Sequence, residues 1–149
     1  MEFEEKVTIR RPLAEVFAYM SDAENDAKWR TNVISIERVG GGDHSEVGTV
    51  YKQVVKGPMG RKLQADFQYT VYEPNKRLAF DTIEGSVRPS AVIDFTPVSD
   101  DTTEVRFHMT WVPEGGMKAS APIVGKMLKK SIHESYQNLV HHIESLPTG

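Results

Sequence analysis

The first ten residues alternate. Phe3, Glu5, Val7 and Ile9 fall on one face of an expected strand, and Glu4, Lys6, Thr8 and Arg10 on the other. Pro12 then suits the first turn of a helix in which Leu13, Val16, Phe17 and Met20 recur at helical spacing. Ser21-Asp22 breaks that helix, and residues 23–29 read as a second short one. From Val33 to Val112 the period is mostly two, with expected strands at 33–39, 47–56, 61–73, 76–84, 87–98 and 103–112. Turn residues separate them: Gly40-Gly41-Gly42-Asp43, Gly57-Pro58-Met59-Gly60, Pro74-Asn75, Gly85-Ser86 and Ser99-Asp100-Asp101. From about Ala119 to Leu146 the period returns to helical, and Leu128, Ile132, Tyr136, Leu139, Ile143 and Leu146 form one apolar stripe. Pro122 suits a first turn, so the helix is expected to begin near Ala121.

Short connections between consecutive strands predict an antiparallel meander, and apolar pairing sets its register. A two-residue turn at Pro74-Asn75 places Glu73 opposite Lys76, Val71 opposite Leu78, Tyr69 opposite Phe80 and Phe67 opposite Thr82. A two-residue turn at Gly85-Ser86 places Phe80 opposite Ala91 and Leu78 opposite Ile93. The layer continues if Ile93 and Phe95 meet Phe107 and either Val105 or Met109. Pro89 lacks the donor an inner strand needs, which predicts a bulge there. In 47–56 two phases compete: Val47, Tyr51 and Val55 against Val50 and Val54.

Composition enters mainly by exclusion. A chain of 149 residues with 39% hydrophobic and 26% charged residues has the length of one domain, 1–149, and enough apolar content for a core. A net charge of −3 gives no electrostatic case for nucleic acid. The densest basic group, Lys126, Lys129 and Lys130, is spread along a helix. The absence of cysteine removes disulfides, thiolate nucleophiles and cysteine metal sites together. The acidic opening Met1-Glu2-Phe3-Glu4-Glu5 does not read as a signal peptide, and no apolar run reaches the roughly 18 residues of a membrane span. The expected address is the cytoplasm.

The element order is strand, two short helices, six antiparallel strands and one long helix. Together with particular segments, it resembles the START/helix-grip (SRPBCC) superfamily, in its polyketide cyclase/dehydrase and lipid-transport group. The segments are FEEKVTIRRPLAEVFAYMSD, WRTNVISIERV, YTVYEPNKRLAFDT, AVIDFTP and MLKKSIHESYQNLVHHIESL, and they span nearly the whole chain. The resemblance implies an α+β helix-grip fold, a seven-stranded curved antiparallel sheet wrapped around the C-terminal helix with a ligand cavity between them. It also implies a binder of an apolar or amphipathic small molecule. Phe67, Tyr69, Phe80, Thr82, Ala91, Ile93, Phe107, Met109 and Trp111 on the sheet, with Leu128, Ser131, Ser135 and Leu139 on the helix, are the expected lining. The family has no common catalytic set, so none is carried over.

Individual candidates have competing readings. Ser135 either bonds the carbonyl one turn back or offers a ligand a polar contact. Glu84 and Tyr69 are weak catalytic candidates, and Glu84 lies beside a hairpin turn where a solvated rim carboxylate is expected. Burial would raise the pKa of Glu84 and fit it for acid–base work. Glu5 is phased inward, yet strand fraying or a structural hydrogen bond accounts for it. His133, His141 and His142 lack chelating spacing, and His108 points outward where Asp94 can pair with it, so no metal or other cofactor is expected. Gly40-Gly41-Gly42 does not lead into a helix and reads as a hairpin tip. Trp29 and Trp111 read as core or cavity-rim aromatics, and Gly115-Gly116-Met117 as a linker or lid hinge. Three functions remain open. They are a carrier of a lipid, polyketide or isoprenoid-like compound, a cyclase or dehydratase on a polyketide-like chain, and a solid-core interaction protein. Oligomeric state, monomer or homodimer, is left open.

Overall fold

The computed structural model describes residues 1–40 and 44–148, so the tip at Gly41, Gly42 and Asp43 lies outside the described residues. Strand β1 (Glu2–Ile9) leads to helix α1 (Leu13–Ser21) and a 3-10 helix (Ala23–Lys28). Strands follow as β2 (Val33–Val39), β3 (Val50–Lys56), β4 (Lys62–Gln64), β5 (Phe67–Glu73), β6 (Arg77–Thr82), β7 (Ser90–Ser99) and β8 (Thr102–Thr110). Helix α2 (Met117–Glu144) closes the chain. Seven strands form a continuous antiparallel path, β1-β8-β7-β6-β5-β3-β2, with short β4 pairing off it against β3. The sheet curls around α2 as an α+β helix-grip fold, the architecture that the family resemblance implies.

Register follows the apolar pairs. Ile93 faces Phe107, Phe95 faces Val105, Phe80 faces Ala91, and Leu78 faces Ile93. At the β5–β6 hairpin Tyr69 faces Phe80 and Phe67 faces Thr82 as expected, but the turn itself differs. Glu73 pairs with Arg77, so the loop holds three residues, with Asn75 left-handed at φ 60°, and a shift between Tyr69 and Val71 restores the inner register. Side-chain packing therefore dictates the buried pairs, and a bulge absorbs the turn's extra residue.

Three other expectations change, and one open choice is settled. The strand at 61–73 breaks at Ala65-Asp66, where the Asp66 carboxylate accepts the Gln53 N–H (3.1 Å) and its carbonyl accepts the Ile83 N–H (2.7 Å). Pro89 causes no bulge, because it sits one residue before β7 and needs no donor; its carbonyl accepts the Thr82 N–H. In β3 the phase of Tyr51 and Val55 wins, with Tyr51 and Gln53 buried and Val47 60% exposed. Helix α2 starts at Met117 rather than near Ala121 and carries Pro122 inside.

Packing is uneven along the grip. Val16, Phe17 and Met20 of α1 plug one end, where Phe17 meets Phe95 (5.0 Å between ring centres) and Tyr72 (5.5 Å) edge-on. Beneath α2 at this end Leu139, Ile143, Ile9, Leu78 and Val105 are buried. A second aromatic chain, Trp29–Tyr136–Phe107, ties the 3-10 helix, α2 and β8 together at 5.2 and 5.0 Å. Against the middle of α2 the packing opens.

Candidate functional site

A cavity of about 530 Å³ lies between the middle of α2, from Val124 to Tyr136, and the inner face of the sheet. That volume falls within the range of about 300–1,000 Å³ typical of small-molecule sites. Phe67, Tyr69, Phe80, Thr82, Ile93, Phe107 and Met109 line it from the sheet, and Leu128, Ser131 and Ser135 from α2. The physical origin is the alternation of β5 to β8. Their inward-phased positions project toward α2, where small side chains such as Ser131 and Ser135 leave the space unfilled.

Three residues expected in the lining sit elsewhere. Ala91 is buried in the sheet, Leu139 is fully buried one turn beyond the cavity floor, and Trp111 lies past the end of β8, where its carbonyl accepts the Met1 ammonium (2.7 Å). Glu84 also stands outside the lining and is exposed, because the chain leaves the β6–β7 ladder after Thr82. Glu5 bonds His133 at 2.9 Å rather than facing the cavity. His108 pairs with Glu2 (3.0 Å), and Asp94 with Arg77 (2.6 Å), since the register sets His108 opposite Val92 and Asp94 opposite Arg77. Among the described residues no three of His, Asp and Glu come together at metal-binding distance.

The polar groups of the cavity have defined partners. Tyr69 lines the wall, but its hydroxyl donates to the Ser21 carbonyl at 3.1 Å, and burial holds its pKa well above the usual tyrosine value. Ser135 accepts the backbone N–H of Thr31 (3.0 Å), so its hydroxyl tethers the loop after the 3-10 helix to α2. This differs from both roles anticipated for it.

The cavity's most perturbed carboxylate is Asp26. Together with Arg30 it lines the cavity from the 3-10 helix, and the two form an i,i+4 ion pair at 3.3 Å with side chains 14% and 22% exposed. Arg30 Nη1 also donates to Gln53 Oε1 (2.7 Å), and Gln53 in turn donates to the Ala65 carbonyl (3.0 Å). Burial raises the Asp26 pKa from 3.8 to about 6, because desolvation outweighs the opposing charge of Arg30. The Trp29 indole N–H is buried beside this carboxylate and lowers its pKa, without closing a hydrogen bond of normal geometry. Sequence reasoning missed Asp26, Arg30 and Gln53. The signal available was the Asp26/Arg30 spacing of four, which on its own reads as a surface helix pair.

The chain matches the family described as "Polyketide cyclase / dehydrase and lipid transport" over residues 1–144. Among solved structures it resembles TTHA0849 from Thermus thermophilus at 19% identity and TM-score 0.80, covering 96% of this chain and 97% of that one. It resembles the Zhui aromatase/cyclase from Streptomyces sp. R1128 at 14% identity and TM-score 0.77, covering 97% and 93%. A conserved protein from Geobacillus kaustophilus aligns at 19% identity and TM-score 0.75, covering 96% and 95%. No functionally curated protein matches the chain in sequence.

Proposed function

Because the chain belongs to the polyketide cyclase/dehydrase and lipid transport family, we propose that its cavity binds and carries an amphipathic small molecule, of lipid, polyketide or isoprenoid-like class. The observation that carries this reading is the 530 Å³ space, walled by Phe67, Phe80, Ile93, Phe107 and Met109 and provided with a few convergent polar groups at one corner. An apolar ligand gains about 25 cal/mol for each Å² removed from water there. The Arg30 guanidinium and the unbonded Trp29 N–H supply donors for a carbonyl or hydroxyl oxygen at its polar end. A solid-core interaction protein has no use for such a space.

The test is a fluorescence titration with the neutral apolar probe N-phenyl-1-naphthylamine, alongside native mass spectrometry of protein purified from its source. Saturable binding that Leu128→Trp weakens tenfold or more, by filling the cavity, is the expected result. Absence of saturable binding, or binding indifferent to that substitution, overturns the reading.

A second reading, a cyclase or dehydratase, has one observation in its favour. Asp26 is a cavity-facing carboxylate whose pKa of about 6 suits proton transfer near neutrality, with Arg30 beside it to hold a developing enolate oxygen. Turnover of a poly-β-ketone surrogate that survives Asp26→Asn would remove it.

A further inference from the structure

The cavity opens between two segments. Its exposed lining residues are Lys56, Met59, Gly60 and Gln64 on one side, Lys130 and Glu134 of α2 on the other, and Thr31 at a corner. Met59 stands at the tip of the Pro58–Gly60 turn with φ 60° and is 98% exposed. Left-handed backbone is rare for a residue with a side chain, and here it projects a large apolar group entirely into solvent. Across the mouth, Ile123 is 64% exposed and shares one face of α2 with Met127 and Lys130 at spacings of four and seven.

The same two segments are strongly basic. Residues 47–65 hold Lys52, Lys56, Arg61 and Lys62 and no acid; residues 115–133 hold Lys118, Lys126, Lys129 and Lys130 and no acid. Eight of the 18 cations thus sit here, leaving ten against all 21 acids in the rest of a chain whose net charge is only −3. Pairing is as uneven as placement. Arg10, Arg30, Arg38, Lys76, Arg77 and Arg106 each meet a carboxylate. Among the described residues, Lys56, Arg61, Lys62, Lys126 and Lys129 enter no ion pair, and Lys130 meets only Glu134, at 3.9 Å.

We propose that this mouth docks on an anionic lipid bilayer, with Met59 and Ile123 entering the headgroup–acyl boundary and the surrounding lysines and Arg61 facing the headgroups. Apolar tips set among cations that mostly lack a carboxylate partner are the pattern of interfacial binding, and a protruding flexible methionine enters a fluid boundary without a matching pocket. That loading of an apolar ligand then occurs directly from the membrane rests on the carrier reading above; the docking itself does not.

The experiment is co-sedimentation with phosphatidylcholine vesicles, with and without about 30 mol % phosphatidylglycerol. Pelleting is expected only with the anionic vesicles, and it should be lost near 0.5 M NaCl, roughly where screening shortens to a few ångströms. The double substitution Arg61→Glu/Lys62→Glu, outside the cavity lining, should weaken partitioning tenfold or more while leaving N-phenyl-1-naphthylamine titration in vesicle-free buffer unchanged. Met59→Ser should weaken it several-fold with the circular dichroism spectrum intact. Failure to pellet with anionic vesicles overturns the proposal and leaves the rim to an acidic protein surface, as does pelleting that neither salt nor charge reversal weakens. Failure of the wild-type probe titration strikes the carrier reading instead and leaves the vesicle result standing.

Discussion

Asp26→Asn gives the sharpest test of the cavity's electrostatics. Folding raises the Asp26 pKa from 3.8 to about 6, so between these values the native state holds a proton that the unfolded chain releases. The protonated group's contribution is fully present below about pH 3.8 and is lost as pH rises through about 6; the wild type therefore weakens with pH in this window. With a displacement of about two units, the loss between about pH 4 and pH 7 is roughly 2 kcal/mol. Asparagine does not titrate, so the stability of the Asn variant relative to wild type should rise by that amount over the same interval. Any fixed cost of weakening the Arg30 contact shifts the whole curve without changing its slope. The assay is urea unfolding at several pH values, read by fluorescence of Trp29 and Trp111, both buried. All other groups are common to both proteins, so their contributions cancel in the difference. A stability difference constant within about 0.5 kcal/mol across the range would refute the claim that desolvation governs Asp26, and with it the acid–base reading of the cavity.

Other expectations follow from packing. Leu139→Ala, at a fully buried position, should cost about 2–5 kcal/mol in urea unfolding, whereas Leu128→Ala, beside existing empty space, should cost well under half as much. Gly85→Ala should cost about 3 kcal/mol or more, because φ is 109° and an added Cβ would run into the Gln64 carbonyl oxygen; equal thermal midpoints would contradict that close approach. Tyr69→Phe should cost about 1 kcal/mol for the bond to Ser21 and leave probe affinity within twofold. Glu144, whose pKa is lowered by bonds from the Arg10 side chain and backbone, should make Glu144→Gln most damaging near neutrality and harmless in acid, once the carboxylate is protonated in both states.

Much of the fold is legible in the sequence because the buried pairs are redundant. Phe80 opposite Ala91 and Ile93 opposite Phe107 are fixed by alternation on strands that already bury one face, and a slip by one residue would expose every member. The hairpin ends are not so protected. At Pro74-Asn75 the solvent accepts either turn length, so a three-residue loop with a bulge satisfies the same core. Most of the cavity wall was readable for the same reason as the register, since inward phase on β5 to β8 is a local property.

Hollowness and polar equipment were not local. Whether inward residues meet or leave a space depends on how far α2 stands from the sheet, and that distance is set by Trp29, Tyr136 and the Ser135–Thr31 bond, contacts across more than a hundred residues. Ala91 and Leu139 share the phase of the wall, yet Ala91 is buried between Phe80 and Met109, which line the cavity, and Leu139 is fully buried one turn past the last lining residues of α2. Asp26 looks in sequence like half of a solvated helix pair, and only the curl of the sheet over the 3-10 helix removes it from water and raises its pKa. The chain itself thus determined the strand phases and the apolar stripe, because side-chain direction repeats with the backbone. Only the tertiary structure decided where those faces fail to touch, because a void belongs to the distance between elements.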